Sequence, residues 1–136
     1  MHRRPPDSLA ALAPALAAAA QTVLDGWHQD ADGVDAELGT GGACDRVASA
    51  LVGVLDAHGF EALLSGTDFD GGHAFALALV DGAAWEVDVP AHLYETGYGY
   101  VWRKRPDVVL DASSLSFAFL ADGLTPTTFA DLYGEP

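Results

Sequence analysis

The sequence predicts a single domain of the α+β class. Two stretches with apolar residues at helical spacing lie in the first half of the chain, and an Asp81-Gly82 turn then joins two β-rich runs. No linker or internal repeat divides the 136 residues. Half of the residues are apolar, which excludes general disorder, and a chain of this length buries roughly 68% of its unfolded surface without a metal or disulfide. One hydrophobic core is expected.

The first helix is marked by Leu9, Leu12, Leu16, Val23, Leu24 and Trp27. It is predicted to run from Ser8 as N-cap, or from Pro14, to about His28, with Gly26 and Asp30 near its end. Arg3 and Arg4 ahead of the Leu9 to Ala20 stretch imitate a signal peptide. Alanine dominates that run, however, Pro14 interrupts it, and the helical stripe continues past any cleavage point. No stretch is expected to reach the ~20 unbroken, strongly apolar residues of a membrane-spanning helix.

After a loop from Asp30 to Gly42, the residues Cys44, Ala48, Leu51, Leu55 and His58 form one face of a second helix, which Gly59 closes. Phe60 to Leu64 is predicted as a short strand and Ser65 to Gly72 as a polar loop. The runs His73 to Val80 and Ala83 to Val89 form a hairpin, because Asp-Gly between apolar runs supplies the left-handed turn residues. Pro90 ends the second strand, and an aromatic loop spans His92 to Trp102. Val108 to Leu110 and Phe117 to Leu120 are further strand candidates, and a short helix opens at Thr125-Pro126 and runs to Leu132.

Twenty acidic residues against six basic ones give a formal net charge of −14. That charge repels nucleic acid and anionic membranes, so neither is an expected partner, an acidic mimic of DNA being the exception left open. The single cysteine cannot form an intrachain bridge, which points to a reducing, cytoplasmic setting and leaves the thiol free.

That cysteine, Cys44, sits where the glycine-rich turn of Gly39, Gly41 and Gly42 gives way to a helix, with His73 and then Asp88 downstream on the hairpin. This is the order of a thiol nucleophile, its base and the group that orients the base. The turn fixes the register, so that Phe75 opposes Asp88, and His73 and Asp88 become diagonal neighbours on one face. Diagonal Cα atoms lie about 7–8 Å apart, within reach of an imidazole and a carboxylate. A helix N-terminus and a protonated His73 would lower the thiol pKa, and the acids Asp45 and Asp88 oppose that trend. Taken singly, each residue has a structural reading: free cysteines pack as small hydrophobes, and His73 and Asp88 also suit strand ends.

Gly-Ala-Cys44 opening a helix, Gly-Gly-His73-Ala-Phe-Ala-Leu on a strand and Trp85-Glu-Val-Asp88-Val-Pro on the next resemble the core of the papain-like superfamily, especially its transglutaminase-like bacterial and phage peptidases. The resemblance covers Gly41 to Pro90. It implies Cys44 as nucleophile, His73 as base and Asp88 as orienting acid, in an α+β fold that packs the cysteine helix on a small antiparallel sheet. Papain-like enzymes often place a glutamine a few residues before the cysteine to assist the oxyanion. Here Gln29 lies fifteen residues before Cys44, so the Cys44 N–H with Gln29 or Trp27 stands as the candidate oxyanion set.

Tyr94, Tyr98, Tyr100 and Trp102 lead into Arg103-Lys104-Arg105, half the basic residues of the chain. Such a loop suits the floor of a cleft, with Tyr94, Tyr98, Trp102, Arg103 and Arg105 as substrate contacts for an acidic or carboxylate-bearing group. Pairing of these cations with the surplus acids is the competing reading. Gly39 to Cys44 lacks the lysine of a phosphate-binding loop, and Asp68, Asp70 and His73 lack the spacing of a calcium loop, so no cofactor or metal is expected. The chain thus reads as a small cysteine hydrolase, a peptidase or amidase acting on a peptide or protein through a thioester. Deamidation or acyl transfer would use the same residues, and the alternative from another class is a non-catalytic acidic binding or inhibitor protein on the same fold.

Overall fold

The computed structural model describes residues 3–30, 44–67, 73–96, 102–105 and 107–134. Its helices are α1 (Asp7–Ala10), α2 (Ala13–Asp30), α3 (Cys44–Ala57) and α4 (Pro126–Tyr133). The strands are β1 (Glu61–Thr67), β2 (His73–Val80), β3 (Ala83–Asp88), β4 (Tyr94–Thr96), β5 (Trp102–Lys104) and β6 (Ser116–Ala121). Four of them form an antiparallel sheet in the order β1-β2-β3-β6, and β4 and β5 form a separate pair. The architecture is α+β.

The sheet's two faces are covered by different helices. Ala76, Ala78 and Val80 of β2 and Trp85 and Val87 of β3 point inward, into a core with Leu9, Leu16, Ala17, Ala20 and Leu24 of α1 and α2 and Val47, Leu51 and Leu55 of α3. Alanines at alternate positions of β2 leave room for α3 to lie close on the sheet. On the outer face, Leu77, Leu79 and Ala84 pack under Phe129 of α4. Both clusters follow the period-2 alternation of strand side chains.

Local chemistry sets most boundaries. Asp81 (φ 52°) and Gly82 (φ 80°) both adopt the left-handed conformation of a two-residue hairpin turn, as expected from Asp-Gly. Gly59 (φ 85°) ends α3 in a Schellman turn: the Phe60 N–H donates to the Leu55 carbonyl and the Gly59 N–H to that of Asp56, each at 3.0 Å. Thr125 caps α4 by accepting from the Thr128 N–H, with Pro126 in the first turn.

Four expectations are corrected. Ser8 is not an N-cap: it lies inside α1, which begins after Pro6 with no side-chain cap, and residues 11 and 12 separate α1 from α2. His58 lies beyond α3 and is exposed, because the chain has already turned toward Gly59; its Nδ1 is 2.9 Å from the Val54 carbonyl oxygen. Ser65 to Thr67 belong to β1 rather than to a loop, since they pair with Phe75, Ala74 and His73. Val108 to Leu110 form no strand: the Leu110 N–H donates to Gln21 Oε1 and Val109 is exposed, so no ladder forms there.

By length and composition, Asp7–Gly26 is one span apolar enough to cross a membrane. In the fold its leucines Leu9, Leu16 and Leu24 are fully buried against the sheet and α3.

Candidate functional site

Strand pairing brings the end of β1, the start of β2 and the end of β3 together. The turn after α3 leads into β1, and both have similar lengths: 14 helical residues rise about 21 Å and 7 strand residues about 23 Å. Cys44 is the first residue of α3, which packs against β1 and β2. Thr67, the last residue of β1, pairs with His73, the first of β2. The β2–β3 ladder runs from Val80–Ala83 to Ala76–Val87, and the same register carried one residue further sets Phe75 opposite Asp88. Asp88 ends β3 at this same end, directly across from Ser116 of β6. The ladder thus sets the positions of His73 and Asp88 at one end of the sheet.

The faces add a condition. The positions of His73 and Asp88 share the outer face with Phe75 and Leu77, whereas α3 packs on the inner one. A thiol from α3 and an imidazole from β2 can meet only over the end of the sheet, where β2 begins and no further pair of the ladder separates the faces. Asp88 is 7% exposed, one of three buried polar residues among the described ones, with Ser65 and Ser114. Ser65, Phe75, Asp88 and Ser116 form one row across the outer face, so two of those three lie in the same row. The sequence reading missed this row, whose only signal was a serine near the end of each outer strand.

Trp27 and Gln29 lie in the last turn of α2. The predicted aromatic loop contains the hairpin of β4 and β5, with Tyr94 opposite Lys104 and Thr96 opposite Trp102, while Tyr98 and Tyr100 lie outside the described residues. Arg105 closes the base of this hairpin. Its backbone N–H donates to the Leu93 carbonyl at 2.9 Å and its Nε to the His92 carbonyl at 3.1 Å.

Asp111 is a second well-defined polar centre. Its carboxylate accepts from the hydroxyl and backbone N–H of Ser113 and caps the short 3₁₀ turn Ala112–Ser114, while Ser114 Oγ accepts from the Asp111 N–H at 3.0 Å. These bonds, led by that from the Ser113 hydroxyl, hold the Asp111 carboxyl below its ordinary pKa. The turn leads straight into β6 and Ser116.

No family model, curated protein or solved structure matches this chain.

Proposed function

We propose that this protein is a cysteine hydrolase, a peptidase or amidase with a core of the papain-like, transglutaminase-like kind. The observation that supports it is that a cysteine opens a helix packed on the sheet, while a histidine at a strand start and a buried aspartate at a strand end share one end and one face of that sheet. In this reading His73 takes the thiol proton and the Cys44 thiolate adds to the substrate carbonyl carbon. The tetrahedral oxyanion is met by the Cys44 N–H with Gln29 or Trp27, the C–N bond breaks, and His73 returns the proton to the departing amine. Water, deprotonated by His73, then attacks the thioester and releases the acid and the thiol. Asp88 holds the imidazole in the productive tautomer.

The substrate is a peptide or protein, met by Tyr94, Tyr98, Trp102, Arg103 and Arg105. A cytoplasmic setting suits a lone free thiol, and the net charge of −14 disfavours nucleic acid or anionic membrane as a partner.

Iodoacetamide labelling tests this. Cys44 in the native protein is alkylated at about pH 6 faster than a free thiol of ordinary pKa near 8.5. His73→Ala slows labelling markedly and Asp88→Asn slows it less, both with unchanged circular dichroism. A Cys44 that resists alkylation until denaturant is added is a core cysteine, and the acidic binding-protein reading then replaces this one.

A further inference from the structure

We infer that β6 is a self-association edge, at which a second copy of this chain continues the sheet. β6 is paired on one side only, with β3. Among the described residues, 116–121 make no backbone hydrogen bond beyond that ladder, so the groups on the outward side of the strand lack protein partners. Natural edges are ordinarily blunted by a charge, a proline or a covering element. Ser116–Ala121 has neither charge nor proline, whereas β1, the opposite edge, carries Glu61 and has α4 packed against it. The irregularity between Ala84 and Trp85 sets Leu120 out of the ladder, 37% exposed, and leaves Ser116 to Phe119 in regular register.

The strand is complementary to itself. A two-fold axis perpendicular to the sheet at Ala118 makes β6 antiparallel to its copy and keeps every residue on its own face. Phe117 of each copy then lies opposite Phe119 of the other. Both are partly buried inner-face residues packed against the core, and aromatic cross-strand pairs are among the favourable ones. Ala118, across from Glu86 on the outer face, is small enough to meet its own copy at the axis. A slip of one residue would pair inner-face with outer-face positions, so this register is the one the faces allow.

Charge limits where two such copies can touch. At a net charge of −14 each they repel, and contact is favoured at an edge without carboxylates. The nearest acids, Asp111 and Asp122, lie beyond the ends of β6, and each is already engaged. Asp111 accepts from the Ser113 N–H and hydroxyl, and Asp122 pairs with Arg3 Nη2 at 3.0 Å. The same guanidinium lies 4.0 Å from the centroid of the Phe119 ring, which places a cation at the aromatic pair of the interface.

Sedimentation velocity of the full chain tests this. The wild type shows a monomer–dimer equilibrium whose dimer fraction falls on dilution and rises between about 0.05 and about 0.5 M salt, because screening removes the repulsion between acidic copies. Ala118→Lys sets a lysine across from Glu86 within the chain but against its own copy at the axis. It raises the dissociation constant about fivefold or more, with thermal unfolding no worse than that of the wild type. The register is read by Ala118→Cys in a Cys44→Ser background, where mild oxidation joins two copies through residue 118. Leu120→Cys in the same background lies off the axis and is joined much more slowly. A wild type that is monomeric at every concentration and salt, a dimer unaffected by Ala118→Lys, or equal cross-linking at 118 and 120 overturns the inference. None of these readouts depends on the reactivity of Cys44, so the hydrolase reading stands or falls separately.

Discussion

The backbone N–H of Leu124 donates to the carbonyl of Gly82 across 2.7 Å, tying the tip of the β2–β3 hairpin to the chain just ahead of α4. This contact, with the Thr125 cap next to it, delivers Phe129 onto Leu77, Leu79 and Ala84. A local turn therefore controls how the outer face of the sheet is covered.

Gly82→Ala is expected to destabilise the protein. Its φ of 80° is left-handed, and an added Cβ would lie 3.3 Å from the Leu124 carbonyl oxygen. The left-handed conformation alone costs about 1–2 kcal/mol for an L-residue. Gly53→Ala, in the interior of α3 with open space at its Cβ, should instead stabilise by about 0.5–1 kcal/mol. Urea unfolding of the two variants gives opposite signs.

Leu51→Ala removes a fully buried side chain from the seam between α3 and the sheet and should cost about 2–5 kcal/mol. Leu132→Ala, on the exposed side of α4, should stay within about 0.5 kcal/mol. Comparable losses at both positions in chemical denaturation would contradict the packing of α3 on the sheet.

Trp85 Nε1 is buried without a hydrogen-bond partner, and its ring meets Phe119 edge-on at 5.5 Å. Trp85→Phe should therefore cost little, about 1.5 kcal/mol or less, whereas Trp85→Ala should cost about 3–5 kcal/mol. A Phe variant as damaged as the Ala variant would mean that the indole N–H has a partner.

Asp111 has a pKa below its unfolded value, so its charge favours the folded state above that value, near 3.8, and the benefit disappears as pH falls through the lower folded value. Asp111→Asn caps comparably at neutral pH and should flatten the acid-side fall in stability below about pH 4. Asp111→Ala should lower the melting temperature at pH 7. Melting curves across pH 2–7 (roughly the carboxylate range and above) distinguish the variants.

Arg105→Ala should loosen the base of the β4–β5 hairpin, with a stability loss of about 0.5–1 kcal/mol and faster hydrogen exchange at residues 93–95. A raised KM at unchanged stability would assign the side chain to substrate instead.

The sequence by itself determined the elements whose causes are local. Asp81-Gly82 supplies two left-handed residues, Gly59 a third, and Thr125-Pro126 a helix start, so the hairpin, the end of α3 and α4 were legible from neighbouring residues. The hairpin register, and with it the shared face of His73 and Asp88, followed from the same turn. Tertiary structure decided what depends on partners distant in the chain. Ser65 to Thr67 have no strand pattern of their own and become strand only because Phe75, Ala74 and His73 offer a ladder, whereas Val108 to Leu110 have the pattern and find no ladder. Which helix covers which face, and the row that joins Ser65, Phe75, Asp88 and Ser116, depended on β1 and β6 closing on either side of the hairpin. Strand pairing is a nonlocal contact, set by the burial and hydrogen bonding of whole faces, and no window of sequence contains it.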